Sequence, residues 1–167
     1  MRTVRILFVC TGNICRSPMA QAVGQLLARR SNPSFRYEFD SAGTHAMRGG
    51  ALTDKRAREA LERGSYEPIV RRARAPSARD FSQSDLIVAM DHANLRELQR
   101  VCPSEFAHKL KLLLDFAPGF EGQEVPDPYY GSPQGFDRVL ELCEAGVRGL
   151  LMSDLSGEAQ IDAGRVT

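Results

Sequence analysis

The sequence has no long apolar run and almost no net charge. Its 22 basic and 21 acidic side chains leave a formal charge of +1 over 167 residues, which does not indicate a nucleic acid or a membrane surface as a partner. No apolar run is long enough to span a bilayer, and the first residues lack the apolar stretch and small-residue cleavage site of a signal peptide. The four cysteines follow no disulfide-scaffold pattern. We therefore expect one domain in a reducing, cytoplasmic setting.

Residues that would hold a metal or a nucleotide are also scarce. Cys10 and Cys15 are separated by four residues, and no second group of cysteines or histidines completes a four-ligand zinc site. The three histidines, His45, His92 and His108, are predicted to lie at the surface or to cap helices. The Gly-Lys-Ser/Thr ending of a Walker-type nucleotide loop does not occur. We predict no metal and no cofactor.

Apolar runs typical of buried strands alternate with amphipathic helical patterns along the chain. The predicted strands are residues 4–9, 35–41, 86–90 and 108–114, and the predicted helices are residues 18–30, 53–63, 79–83, 92–101 and a last one that begins at Ser132-Pro133. This alternation predicts an α/β fold, a four-stranded parallel sheet with helices on both faces. Residues 35–41 alternate apolar with polar side chains, which favours a sheet edge, and Asp91 is a candidate helix cap. We expect a single domain over residues 1–153, followed by a polar tail, 154–167.

A short loop joins the first predicted strand to the first predicted helix. It contains Cys10 and Arg16, separated by five residues. Ser17 is a residue type that caps helix N-termini, and Pro18 suits the first helical position because its missing N–H needs no partner there. The loop is therefore predicted to lead into a helix N-terminus, whose unpaired N–H groups and partial positive charge favour anions.

The composition of this loop indicates phosphate chemistry. Gly12 and Asn13 easily adopt the left-handed backbone that an anion-binding nest of N–H groups requires, and Arg16 can bind two phosphate oxygens with its planar fork. Their positive potential favours the thiolate form of Cys10, which under a bound phosphate is a nucleophile for phosphoryl transfer. Cys10 also lies at the carboxyl end of a predicted parallel strand, where ligands bind in such sheets. The alternative is an ordinary buried cysteine at a strand end.

The long loop over residues 115–131 contains a candidate acid. Displacement of a phosphoryl group from a phenol requires a proton for the leaving oxygen. Asp127 lies between Pro126 and Pro128, which stiffen its backbone and exclude a helix there. Tyr129 and Tyr130 follow, and two tyrosines can wall a pocket for a flat aromatic group. Taken alone, Asp127 fits an ordinary turn aspartate better.

Two segments together resemble a known family. The run Cys10-Thr11-Gly12-Asn13-Ile14-Cys15-Arg16-Ser17-Pro18 and the element Asp127-Pro128-Tyr129-Tyr130 are similar to the signature loop and the acid loop of low-molecular-weight protein tyrosine phosphatases. Residues 40–44 and 85–98 are similar to two further segments of that family, so the resemblance covers nearly the whole chain. It implies the family's fold and a protein tyrosine phosphatase that needs no metal, because the loop amides and Arg16 would neutralise the phosphate.

The resemblance also implies catalytic roles. Cys10 would be the nucleophile that forms a phosphocysteine, Arg16 the phosphate clamp, and Asp127 the general acid and then the general base. Ser17 would hydrogen-bond the thiolate. The phosphate would be bound by Thr11, Gly12, Asn13, Ile14, Cys15 and Arg16.

Supporting and substrate-binding roles follow from the same resemblance. Asn13, Ser17 and Ser41 would support the loop, and the substrate pocket would be lined by Ile14, Met47, Tyr129 and Tyr130. Cys10 and Cys15 could form a reversible disulfide, although Cys15 equally fits a small residue packed behind the loop. The expected partner is a phosphotyrosine-containing protein, with phosphate as product, and we expect a monomer.

The sequence departs from the family in two places. Many members have a histidine just before the Ala-Arg pair that here is Ala73-Arg74, where it supports the loop asparagine; in this chain the position falls near Arg71. Met47 stands where the loop after Thr44 often presents an aromatic residue. Support of the loop and contact with the substrate are therefore expected to differ.

Three other functions are less consistent with the sequence. A protein arginine phosphatase of the same fold typically has threonine where this chain has Ile14, and an apolar side chain there favours an aromatic ester. An arsenate reductase of this fold would need relay cysteines, but residues 71–101 contain none and Cys102 stands alone. A non-catalytic phosphate-binding module would require neither a thiol nor an acid.

The cluster of Arg71, Arg72 and Arg74 fits either attraction of acidic phosphopeptides or a solvated basic turn.

Overall fold

The computed structural model describes residues 1–31, 34–47 and 49–153. Within them lie β1 (Arg2–Cys10), α1 (Arg16–Arg30), β2 (Phe35–Gly43), α2 (Lys55–Arg63), α3 (Ala78–Gln83), β3 (Leu86–Ala89), α4 (His92–Val101), β4 (Leu110–Leu112) and α5 (Pro133–Met152). Two 3₁₀ turns, Ser104–Lys109 and Leu113–Phe116, flank β4. The predicted tail, 154–167, lies outside the described residues.

The described strands form one parallel sheet in the order β2-β1-β3-β4. This confirms the predicted fold, and β2 lies at an edge as its alternating pattern indicated. Cys10 pairs with Gly43 and Val9 with Ala89, so the carboxyl ends of β1, β2 and β3 meet at one edge of the sheet. The loop that follows Cys10 starts at that edge, where ligands bind in parallel sheets.

Side chains of β1 pack on both sides of the sheet because successive residues of a strand point to opposite faces. Ile6 and Phe8 belong to a cluster built with α1 and α5, and Leu7 and Val9 belong to a second cluster built with α3 and α4. Helices therefore cover both faces. All four side chains are at most 1% exposed, and full burial of one such side chain contributes about 1.5–3 kcal/mol. This packing fixes the strand that ends at Cys10.

The predicted start of the first helix is wrong by two residues. α1 begins at Arg16 with Cys15 in the cap position, and Cys15 makes no side-chain cap bond. Ser17 lies inside the first turn, fully buried, and its hydroxyl bonds groups from β1 and β2 instead of capping the helix. Two other predicted helix starts are confirmed. The Asp91 carboxylate accepts the N–H of Asn94 at the start of α4, and α5 starts at the predicted Ser-Pro pair.

The predicted fourth strand, residues 108–114, is reduced to Leu110–Leu112. Its last apolar residues, Leu113 and Leu114, are fully buried, but in a 3₁₀ turn. Leu113 packs against α5 at Gly146. A short apolar run has the same pattern whether it is buried in a sheet or under a helix, so tertiary packing decides this boundary.

Candidate active site

The loop between β1 and α1 turns its carbonyl groups toward the protein. The carbonyl oxygens of Cys10, Thr11 and Ile14 accept backbone N–H groups from the segments after β2 and before α2, at 2.9, 2.9 and 2.8 Å. Among the described residues no acceptor is found for the backbone N–H groups of residues 11–15. Asn13 has a left-handed φ of 57°, whereas Gly12 does not, so that part of the prediction is wrong. The loop thus offers a row of N–H donors to an anion.

The side chain of Asn13 holds this loop in shape. It is buried, and its Nδ2 donates to the hydroxyl oxygens of Ser17 at 2.9 Å and Ser41 at 3.0 Å. Its Oδ1 accepts the backbone N–H of Arg74 at 3.0 Å. The Ser41 hydroxyl in turn donates to Gln21 Oε1 at 2.8 Å. Fixing the amide at both ends supports the left-handed backbone of Asn13, which costs free energy at a non-glycine residue.

Cys10 lies at the foot of the loop, where β1 ends. Its side chain is 2% exposed, and Sγ lies 2.9 Å from Ser17 Oγ. The same hydroxyl lies 3.3 Å from the Ala42 carbonyl oxygen. Because a hydroxyl can rotate its proton, Ser17 can donate to the thiolate when Cys10 is ionised.

Arg16 is buried and held on three sides. Nη1 donates to Asp91 Oδ2 at 2.7 Å and to the Val125 carbonyl at 3.0 Å, and Nη2 donates to Thr11 Oγ1 at 3.2 Å. Burial by itself lowers the pKa of the guanidinium, but the Asp91 hydrogen bond and the nearby Cys10 outweigh burial and raise the pKa above its ordinary value. A permanent positive charge therefore lies beside the thiol in a site where the side chain is 2% exposed.

Asp127 faces this charge from the opposite loop. Its Oδ2 lies 3.8 Å from Arg16 Nη2, and half of its side chain is exposed. Its Oδ1 accepts the N–H of Tyr129 at 3.1 Å, which closes a local turn around Pro128. The carboxyl group is thus at the mouth of the site, with access to both solvent and the space above Cys10.

A cleft of about 280 Å³ opens between the two loops. It is lined by Cys10, Thr11, Gly12, Ile14, Cys15, Arg16, Asp127, Tyr129 and Tyr130. The two tyrosine rings lie edge to face, with centroids 4.9 Å apart. Met47, predicted to line the pocket, does not belong to this lining and is 81% exposed. The structure therefore brings the thiol, the guanidinium, the carboxyl group and the aromatic wall together, but not Met47.

Comparison with known proteins agrees with this geometry. The family model for low molecular weight phosphotyrosine protein phosphatase matches residues 5–162. The chain belongs to the low molecular weight phosphotyrosine protein phosphatase family. It is 43% identical over 152 residues to the low molecular weight protein-tyrosine-phosphatase of Streptomyces coelicolor, covering 89% of this chain and 92% of that protein.

Two solved structures show how far the family fold extends. A protein tyrosine phosphatase from Entamoeba histolytica, solved with Hepes in its active site, matches with a TM-score of 0.86 and 36% identity over 93% of this chain and 99% of that chain. The YwlE arginine phosphatase matches with a TM-score of 0.77 and 28% identity, over 88% and 93% of the two chains. The family fold thus occurs in proteins named for different phosphorylated residues.

Two residues of the site, Asp91 and Asn94, are not predicted as functional from the sequence. The sequence indicates only a helix cap at Asp91, yet the Asp91 carboxylate also accepts a hydrogen bond from Arg16. Asn94, 1% exposed, donates to Thr11 Oγ1 at 3.0 Å. A usable signal was present for Asp91, since it follows an apolar strand at the carboxyl edge of the sheet. Asn94 carried no such signal, because its burial depends on how α4 packs.

Among the described residues, no side chain takes the supporting role that the family histidine would have. Asn13 Oδ1 is bonded by the backbone N–H of Arg74. Arg71 instead donates to the Asp40 carboxylate and, at 3.0 Å, to the Ser41 carbonyl. Loop support therefore differs from the predicted family pattern at this position.

The basic cluster after α2 is an internal network. Arg74 pairs with Asp40 at 2.9 Å and with Asp80 at 2.8 Å, Arg71 pairs with Asp40, and Arg72 donates to a backbone carbonyl. Burial raises the pKa of the Asp80 carboxyl, but the hydrogen bond from Arg74 outweighs it and brings the pKa below its usual range. These contacts favour a structural role for the cluster over attraction of acidic peptides.

The remaining cysteines differ in environment. Cys15 is buried. Burial, and to a smaller extent the charge of the nearby Asp54, raises the pKa of its thiol far above the ordinary value, so the thiol stays protonated near neutral pH. Burial raises the pKa of Cys143 to about 12. Cys102 is only partly buried at the end of α4.

No group of three or more His, Cys, Asp or Glu side chains is arranged to hold a metal ion in the part of the chain that the structure describes. Among its described helices, none combines the length and the apolar character that crossing a membrane requires.

Proposed function

We propose that this protein hydrolyses phosphotyrosine in proteins, with Cys10 as nucleophile, Arg16 as phosphate clamp and Asp127 as general acid and base. The observation that carries the proposal is the arrangement around Cys10. Its thiol lines one cleft with the β1–α1 loop, whose backbone N–H groups have no acceptor among the described residues, and the Asp127 carboxyl group lies 3.8 Å from the guanidinium of the buried Arg16. Family membership supports the same activity.

In the first step the phosphate binds to the N–H groups of residues 11–16 and to Arg16, and the Cys10 thiolate attacks phosphorus. The S–P bond forms as the bond between phosphorus and the tyrosine oxygen breaks, and protonated Asp127 gives its proton to that oxygen. The N–H groups and Arg16 offset the charge on the phosphoryl oxygens, where such fixed donors contribute most in the transition state.

In the second step a water molecule attacks the phosphocysteine. Asp127, now a carboxylate, takes a proton from the water, and the S–P bond breaks to release phosphate and the Cys10 thiolate. The Ser17 hydroxyl, 2.9 Å from Sγ, stabilises the leaving thiolate. The same hydrogen bond therefore serves attack in one step and departure in the other.

The cleft supports an aromatic substrate. Ile14, Tyr129 and Tyr130 give it apolar and aromatic surfaces, against which a phenyl ring can pack. Similarity to an arginine phosphatase of the same fold makes phosphoarginine the competing substrate. The branched, uncharged Ile14 beside the phosphate favours the phenyl group over a guanidinium.

Steady-state hydrolysis of a phosphotyrosine peptide and of phosphoarginine tests the proposal, with wild type, Cys10→Ser and Asp127→Ala and no added metal. We expect a preference for phosphotyrosine, no turnover by Cys10→Ser, and a loss of about 10²–10⁴-fold for Asp127→Ala, the usual contribution of a general acid. A preference for phosphoarginine would show that the inference from Ile14 is wrong. Binding of phosphate without cleavage of either substrate would contradict the enzymatic proposal.

A further inference from the structure

Arg56, the second residue of α2, is joined to the β1–α1 loop. Its Nε and Nη2 donate to the two carboxylate oxygens of Asp54 at 3.1 and 2.9 Å, a bidentate pair of defined orientation. Asp54 is the N-cap of α2, and its own N–H donates to the Ile14 carbonyl at 2.8 Å. The guanidinium of Arg56 is therefore fixed relative to the residues that would bind phosphate.

The remaining nitrogen of Arg56 reaches the opposite loop. Nη1 donates to the Tyr129 carbonyl oxygen at 2.9 Å, and the N–H of the same Tyr129 donates to Asp127 Oδ1 at 3.1 Å. The guanidinium carbon also lies 5.3 Å from the Tyr129 ring centroid and 4.7 Å from that of Phe136, distances at which a cation is attracted to a ring face. Arg56 thus contacts the peptide unit and the ring next to the proposed acid.

The loop that carries Asp127 has a second anchor on its other side. The Val125 N–H donates to the Met90 carbonyl at 2.9 Å, and the Val125 carbonyl accepts from Arg16. Residues 128–131 follow Asp127 in the same loop. Within the described ranges, one hydrogen bond joins them to another element, and Arg56 donates it. Without it, the carboxyl group would be held from one side.

We propose that Arg56 is a positioning residue for proton transfer. It holds the Tyr129 carbonyl, and through the Tyr129 N–H the Asp127 carboxyl group, at a fixed distance from the β1–α1 loop. This inference rests on the proposed function, because it assigns Arg56 to the step in which Asp127 protonates the leaving oxygen. A displacement of about 1 Å in such a group can cost about 10²-fold in rate.

The effect of misplacing an acid depends on the leaving group. A weakly basic nitrophenolate leaves without a proton, whereas a strongly basic phenolate needs one. In the ratio kcat/KM, which covers steps up to formation of the phosphocysteine, a well-placed acid keeps the dependence on leaving-group basicity shallow. A purely structural role of Arg56 would lower kcat/KM by the same factor for every substrate.

The test measures kcat/KM for a series of aryl phosphates, from nitrophenyl to alkylphenyl esters, with wild type, Arg56→Gln and Asp127→Asn. Arg63→Gln is the matched control, because Arg63 also lies on α2 and pairs with a neighbouring element, through Asp137 at 2.8 Å, far along the helix from Asp54. We expect Arg56→Gln to lose about tenfold or more with the most basic leaving group and less than about threefold with the least basic. Arg63→Gln should keep the wild-type slope, meaning the slope of log kcat/KM against the basicity of the leaving phenolate.

The double variant Arg56→Gln/Asp127→Asn identifies the route of the effect. If Arg56 acts through Asp127, the double variant has the slope of Asp127→Asn alone, because residues that act as a unit are not additive. A wild-type slope for Arg56→Gln, or a further steepening in the double variant, would overturn the inference. The slope compares substrates on one enzyme sample, so partial unfolding of a variant does not affect it. Failure of wild type to hydrolyse any ester would instead contradict the proposed function.

Discussion

Replacement of Gly43 by alanine adds one methyl group next to the candidate active site and leaves the side chains of Cys10, Arg16 and Asp127 unchanged. Gly43 ends β2 and pairs with Cys10 across the sheet. A Cβ there would lie 2.5 Å from the Thr11 carbonyl oxygen and 2.7 Å from the Asn13 backbone nitrogen. Both atoms belong to the backbone of the β1–α1 loop, so no side-chain rotation relieves the overlap.

The size of the effect follows from these distances. Ordinary van der Waals contact begins near 3.4 Å, so the loop must move by about 0.9 Å from the Thr11 oxygen. A shift of this size in a binding group costs about 10²-fold in rate, or about 2.7 kcal/mol in the barrier. Overpacking also costs about 1–3 kcal/mol of stability, which lowers Tm by about 2–12 °C for a chain of this length.

The assay is kcat/KM for an aryl phosphate together with thermal unfolding. Gly146→Ala is the matched control, because its Cβ would lie 2.5 Å from Leu113 Cγ, under α5 and away from the cleft. We expect both variants to lose stability, with kcat/KM lowered about 10²-fold only in Gly43→Ala. Full activity in Gly43→Ala at a lowered Tm, or an equal loss of activity in Gly146→Ala, would refute the reasoning.

Three further predictions concern single side chains. Asp91→Asn removes the charged partner of Arg16 at 2.7 Å and should lower kcat/KM about 10- to 100-fold, because a hydrogen bond to a charged group contributes about 1.5–3 kcal/mol; a loss below about threefold would contradict it. Asp80→Asn should lower the free energy of unfolding by about 1–3 kcal/mol at neutral pH. Because the pKa of Asp80 is lowered in the folded protein, this contribution is present above the unfolded pKa of about 3.9 and is lost as pH falls through the folded pKa, so denaturant titrations of the two proteins should converge in acid. Burial raises the pKa of Cys143 to about 12. A thiol reagent at pH 8 should therefore label Cys102 well before Cys143 in the native protein, and equal labelling rates by mass spectrometry would argue against this burial.

The order of strands and helices could be predicted because each signal is local. Residues 92–101 have the predicted bounds, since Asp91 caps the helix and Pro103 follows its end. Boundaries failed where long-range contacts compete with local preference. Ser17 is a good cap in isolation, but its hydroxyl is committed to Cys10 and Ala42. The run 108–114 divides into a short strand and a 3₁₀ turn because Leu113 packs under α5.

The sequence by itself determined the chemical groups of the candidate site. Cys10 and Arg16 lie on one short loop, and the proline-flanked Asp127 lies on another, so the types of residue and their local backbone could be read directly. That the two loops face each other follows from the parallel sheet, whose strand ends share an edge. The resemblance to the family also predicts that Cys10 and Asp127 act at one site.

Only the tertiary structure decided which residues support these groups. Asp91 and Val125 bind Arg16, the Arg74 N–H binds Asn13, and Arg56 bridges to Tyr129. Each contact joins residues that are distant in the chain. The local sequence around a charged or amide side chain is the same whether that side chain is solvated or buried against a partner. Packing of the helices on the sheet selects among these states, because a buried polar group that lacks a partner costs about 1–3 kcal/mol.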